Sequence, residues 1–177
     1  VLGARGLDRE HGEAPVGGEL RVGGVEAAAL AAGLGLRAGD VAAGVGGLGG
    51  GGWNSGGRPA VYASSRLSLA ALELLVHTDV PLVPPDLVAF EIEIADILEI
   101  ESVELAALPE DWRLPGHPAC RSIGDVWLAE ERTAVLRVSS AVVPQESNYI
   151  INPAHRAAKS IPVFRRRKFA FDSRLLG

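Results

Sequence analysis

Nineteen of the 22 glycines in this 177-residue chain lie in residues 1–57, and that imbalance dictates where a packed core must come from. Glycine has no side chain to bury and loses the most backbone freedom on folding. The first aromatic residue is Trp53 and the first isoleucine is Ile92. Residues 1–52 are almost entirely Ala, Gly, Val, Leu, Arg, Asp and Glu, so this part is expected to be loosely ordered: small side chains offset little chain entropy. Its one regular stretch, Val25 to Leu34 (VEAAALAAGL), reads as a helix stopped by glycines. The chain therefore divides into a Gly/Ala-rich segment 1–49 and a folded domain 50–177. A shifted reading frame upstream of a genuine core would leave the same break in composition near Gly52, and resequencing the gene separates the two explanations.

From Ala60 onward the periodicities are those of an α+β domain with a mixed or antiparallel sheet. Ala60–Ala63 (AVYA) reads as a short strand. Ser64–His77 reads as a helix with a serine N-cap and an apolar stripe of Leu69, Leu72, Leu75 and Val76. In DLVAFEIEI, Val88, Phe90, Ile92 and Ile94 alternate with Glu91 and Glu93, the pattern of a half-buried strand. His117–Glu131 predicts a second helix with Ile123, Val126 and Trp127 on one stripe. TAVLRV and SNYII predict strands, and the chain closes in extended form.

Several functions are disfavoured by composition. A net charge of −5 gives no electrostatic case for nucleic acid, and the run Arg165-Arg166-Arg167-Lys168 reads as a solvated edge strand or tail. Cys120 is the sole cysteine, so no disulfide framework or thiolate metal site is expected. The four histidines show no HxxxH or HExxH spacing, which argues against a metal. Without a signal-like start or a long apolar run, a soluble cytoplasmic protein with no membrane association is expected.

The tract Gly44–Gly57 (GVGGLGGGGWNSGG) contains a GxGxxG spacing at Gly44, Gly46 and Gly49, but that fingerprint needs a strand before it and a helix opening within it, and here more glycine comes after. A phosphate-binding P-loop needs Gly-Lys-Ser/Thr, and the first lysine is Lys159. The tract therefore reads as a linker. No GxSxG elbow accompanies Ser140, which disfavours a serine hydrolase.

The end of the tract and the residues beyond it are more specific. The blocks GGGWNSGGRPAVYASSRLSLAALELLVH (Gly50 to His77), LPEDW (Leu108 to Trp112), GDVWL (Gly124 to Leu128) and AVLRVSSAVVPQESNYIINPAH (Ala134 to His155) resemble, in order, the motifs of RES-domain toxins. That resemblance implies an ADP-ribosyltransferase-like fold with a mixed or antiparallel sheet and a few helices. It also implies NAD+ as substrate rather than a bound cofactor, cleaved by hydrolysis or phosphorolysis or used for ADP-ribose transfer to a protein. A cognate helix-turn-helix antitoxin is the implied partner, and a homodimer within a toxin–antitoxin complex is compatible with it.

Under the resemblance, Glu73 is the catalytic carboxylate, and Trp53, Asn54, Tyr62, Ser140 and Asn148 shape the NAD+ site. On spacing alone these residues have plainer readings: Glu73 a solvated partner of His77 at i,i+4, Tyr62 a core tyrosine, Ser140 a turn serine. Asn152, before Pro153, is expected to support a strand end. The departure is Gly52, where the family's arginine belongs. Leu20-Arg21-Val22 or Arg58 are the substitutes for that cation, and without one the domain could bind antitoxin or NAD+ without turnover.

Overall fold

The alternating stretch organises the molecule. In the computed structural model, which describes residues 24–32 and 50–176, it forms one long strand of a seven-stranded sheet. The elements run β1 (Gly24–Ala32), β2 (Val61–Ser64), α1 (Leu67–His77), β3 (Leu87–Ala95), β4 (Ile100–Ser102), α2 (Pro118–Glu130), β5 (Val135–Ser139), β6 (Ser147–Ile151) and β7 (Val163–Lys168). Strand order across the sheet is β4-β5-β6-β2-β1-β3-β7. Only β4 and β5 are parallel; the other neighbours are antiparallel. The mixed sheet with, among the described residues, two α-helices is the α+β arrangement expected from the sequence.

Val25 to Leu34 corrects the expected helix. Gly24–Ala32 is a strand, paired with β3 along its length from Gly24 opposite Ala95 to Ala32 opposite Leu87. Alanine's helix preference is worth only tenths of a kcal/mol per residue. A central strand instead gains ladder bonds and burial on both faces: Ala27, Ala29 and Ala31 join the β3 cluster, while Leu30 packs beneath α1 with Ala70 and Ala89. Order thus reaches into the glycine-rich half, and the sheet crosses the compositional boundary at residue 50. The GxGxxG glycines and Arg21 lie outside the described residues.

The two faces of the sheet are covered differently. On one, Val88, Phe90, Ile92 and Ile94 of β3, each at most 2 % exposed, pack with Val61, Val135 and Ile151. On the other, α2 brings Cys120, Trp127 and Leu128 onto Leu136, Val138 and Ile150, and α1 covers β1 and β3.

Both helices depart in detail from expectation. Arg66, not a serine, occupies the N-cap of α1 without a side-chain cap bond, because Ser65 still belongs to the strand ladder through its N–H to the Ser147 carbonyl (2.9 Å). Leu72 and Val76 are exposed, and the buried residues are Leu69 and Ala70. In α2 the buried face is Cys120, Gly124, Trp127 and Leu128, with Val126 turned to solvent. His117 caps this helix: Nδ1 accepts from the Ala119 N–H (3.1 Å) and Nε2 meets Asp111 (3.1 Å). The basic run forms the outer strand β7, where Arg167 pairs with Glu91 at 3.3 Å.

Candidate active site

Strand parity brings the first polar residues together. Side chains alternate across a strand, so Tyr62 and Ser64 of β2 and Asn148 of β6 share the face carrying the helices. Ser64 lies opposite Asn148 in the antiparallel register, and its Oγ donates to Asn148 Oδ1 at 2.7 Å. These residues line a cavity of about 770 Å³, within the ordinary range of ligand sites. Its other walls are α1, the loop at Gly50–Trp53 and the segment from Trp112 to Arg121.

Glu73 enters this cavity from α1, one turn beyond the buried Leu69 and Ala70. Its Oε1 accepts from Ser140 Oγ (2.7 Å) and Asn148 Nδ2 (2.6 Å), and its Oε2 lies 3.7 Å from His77 Nε2. Burial works to raise the carboxyl pKa, but the hydrogen bonds from His77, Ser140 and Asn148 outweigh it, so Glu73 sits below its ordinary value. The same hydrogen bond raises His77 against the opposing effect of burial. The cavity thus presents a fixed, ionised carboxylate at neutral pH.

Ser140 acts from behind this carboxylate. It is fully buried, and besides donating to Glu73 its Oγ accepts from the N–H groups of Val142 (3.0 Å) and Val143 (2.9 Å). The turn serine and the site serine are one residue. It does not form part of the cavity wall, and neither does Asn54.

Asn54 instead locks the loop that forms the wall. Its Oδ1 accepts from the Tyr62 hydroxyl (2.6 Å), its Nδ2 donates to the Arg58 carbonyl (2.6 Å), and the Trp53 N–H donates to the Tyr62 hydroxyl (3.0 Å). Tyr62 therefore lends its ring to the cavity while its hydroxyl holds the loop, and burial pushes its pKa up to about 12. The loop is clamped to α2 at Gly124, where any Cβ would collide with the Trp53 carbonyl. At the next residue, Asp125 accepts from the Ser55 N–H (2.9 Å) and Oγ (2.5 Å).

The RES domain family profile matches residues 35–172 of this sequence. The chain belongs to the RES-domain family. It is 41 % identical over 133 residues to the Prs ADP-ribosylating toxin of Sphingobium sp. (strain YBL2), covering 72 % of this chain and 81 % of that protein. It is 39 % identical over 129 residues to Toxin Res of Photorhabdus laumondii subsp. laumondii, covering 72 % and 82 %. Among solved structures, the M. tuberculosis MbcT-MbcA toxin-antitoxin complex contains a chain of similar fold, with TM-score 0.63 and 11 % identity over 83 % of this chain and 85 % of that one.

In this RES domain the one described substitute for that cation, Arg58, does not reach the cavity. Arg58 turns to Asp125, its Nε 3.6 Å from Oδ1, and is no part of the cavity wall. Gly52 does line the cavity, and a Cβ built there meets nothing within 4 Å. Two arginines that the motifs did not single out, Arg113 and Arg121, line the wall instead. No spacing rule marks them; only the folding of the Trp112–Arg121 segment over the sheet brings them in. Asn152 supports the fold, its Nδ2 donating to the Leu128 carbonyl and its Oδ1 accepting from the Ala154 N–H. Among the described residues no group of three or more His, Cys, Asp or Glu side chains could hold a metal ion, and no helix is long and apolar enough to cross a membrane.

Proposed function

We propose that this RES domain is a toxin-type enzyme that cleaves the nicotinamide glycosidic bond of NAD+. The observation that carries the reading is Glu73, a half-buried carboxylate held on Oε1 by Ser140 and Asn148 beside an aromatic wall. Bond cleavage builds positive charge at the anomeric carbon of the ribose, while nicotinamide leaves as a neutral molecule and needs no general acid. A pre-oriented carboxylate is the group this chemistry requires, because it stabilises an oxocarbenium-like transition state more than the ground state. The Tyr62 and Trp53 side chains offer flat surfaces for the leaving ring, and Asn148 a donor for a ribose hydroxyl.

The acceptor in this reading is water or phosphate. The name of the Sphingobium relative favours a second possibility, transfer of ADP-ribose to a protein. As a toxin of a two-component system the chain would act in the cytoplasm and be neutralised by a cognate helix-turn-helix antitoxin; the toxin–antitoxin partnership in the MbcT-MbcA complex supports such a partner. The test is incubation of purified chain with NAD+, with products separated by chromatography in buffer, in phosphate and in the presence of a cell lysate. Nicotinamide release accompanied by free ADP-ribose, its phosphorylated form or labelled protein identifies the acceptor. Unchanged NAD+ in all three conditions contradicts the proposal and favours a domain that binds without turnover.

A further inference from the structure

Among the described residues the cavity wall carries one carboxylate, Glu73, and three basic side chains, His77, Arg113 and Arg121. His77 faces Glu73, which leaves the two arginines without a role in the carboxylate's hydrogen bonding. Each is pinned through Nε to a backbone carbonyl in a different loop: Arg121 to Gly51 (3.3 Å) and Arg113 to Ala141 (2.8 Å). A guanidinium held through Nε keeps its terminal nitrogens for another acceptor. Among the described residues neither arginine has a carboxylate within ion-pair distance. Asp125 feels the charge of Arg121, but is itself bonded by Ser55 and paired with Arg58.

The seat of Arg121 is also shaped for it. Gly116 has a φ of +66°, which disfavours any other residue, and a Cβ there would come within 2.6 Å of Arg121 Nη2. The glycine leaves room for the guanidinium to lie against the backbone.

We infer that Arg113 and Arg121 form a diphosphate-binding pair, which takes the central diphosphate of the dinucleotide and supplies the cation missing at Gly52. The inference rests on the NAD+ reading of the cavity. NAD+ carries a cationic pyridinium at one end and two phosphates beyond the ribose, so a wall with a fixed carboxylate and two guanidinium groups that pair with no described carboxylate matches its charges in sign. Planar guanidinium groups suit phosphate oxygens, to which they donate in parallel. The arginines come from positions unrelated to residue 52, so the substitution is of function and not of place.

The test measures binding of inorganic pyrophosphate and of NAD+ by calorimetry at fixed ionic strength. Wild type is compared with an R113Q/R121Q variant and with R156Q/K159Q, which removes the same charge from residues outside the cavity wall. The expected result is a loss of pyrophosphate affinity of about tenfold per arginine in R113Q/R121Q, with a parallel rise in KM for NAD+ and little change in kcat. R156Q/K159Q keeps wild-type affinity. R113K/R121K, which keeps charge and side-chain stem, should fall between wild type and the glutamine variant, and it serves if the latter folds poorly. Equal pyrophosphate affinity in wild type and both arginine-pair variants, or none in wild type, overturns the inference. Arginine-dependent pyrophosphate binding in a protein that leaves NAD+ intact upholds the diphosphate site and overturns the NAD+-cleaving function.

Discussion

Replacing Ser140 with alanine tests the coupling between fold and site. The Ser140 hydroxyl makes three hydrogen bonds from a fully buried position, donating to Glu73 Oε1 and accepting from the amides of Val142 and Val143. Each amide deprived of its partner costs about 1–3 kcal/mol. Val142 and Val143 are only half-buried, so water can reach them and the cost is about 1 kcal/mol each. Losing the charge-assisted bond to Glu73 adds about 1.5 kcal/mol, a low value because Asn148 and His77 still hold the carboxylate. The sum is about 3.5 kcal/mol, which for a domain of this size lowers Tm by roughly 7–14 °C. Thermal unfolding of Ser140→Ala followed by circular dichroism at neutral pH measures it. In a Glu73→Gln background the same substitution should cost less, since part of its effect passes through the carboxylate. A Tm within about 2 °C of wild type would mean that these three bonds do not form in solution.

Other consequences arise from the same geometry. Gly124→Ala should destabilise by about 1–3 kcal/mol, overpacking at the Trp53 carbonyl outweighing alanine's gain of about 1 kcal/mol in a helix; an unchanged or raised Tm contradicts the clamp. Gly52→Arg should leave Tm within about 2 °C, because a Cβ there meets no atom within 4 Å. It should also strengthen NAD+ binding by about tenfold, whereas unchanged affinity in calorimetry counts against a diphosphate contact at that position. The Glu73–His77 pair predicts a pH signature. His77 is raised above 6.5 in the folded chain, so its stabilisation is complete below that value and is lost as pH rises through the raised pKa. Glu73 is lowered below 4.5, so its stabilisation is present above that value and is lost as pH falls through the lowered pKa. His77→Gln should accordingly lower Tm at pH 6 and match wild type at pH 9; an equal deficit at both would show that the pair is not responsible.

Much of the sheet was legible where side chains differ enough to show a period. SNYII emerged as a strand at its predicted bounds and DLVAFEIEI within one residue, because isoleucine, phenylalanine and glutamate mark opposite faces. Val25 to Leu34 failed for the opposite reason: its alanines are small on both faces, so a strand buried on both sides carries no readable alternation. The helix stripes shifted because Gly124 and Ala70, weak signals in a hydropathy pattern, belong to the buried faces. In the candidate site, Glu73, Tyr62, Ser140 and Asn148 were singled out only through the ordered family motifs. Spacing alone gave Ser140 its turn role, which it also performs. Asn54 and the Tyr62 hydroxyl proved to be devoted to the loop, and Arg113 and Arg121 carried no local signal because their place depends on contacts to Gly51 and Ala141, far away in sequence.

If the Glu73 carboxylate stabilises charge developing on the NAD+ ribose, the rate of nicotinamide release at saturating NAD+ must differ between wild type and Glu73→Gln. Glutamine keeps the size of the side chain and removes the charge. The expected result is a fall of about 100- to 1,000-fold in kcat, the loss typical of removing one electrostatic contact to a transition state, with NAD+ affinity changed by less than about tenfold. Nicotinamide release by Glu73→Gln at the wild-type rate would contradict it.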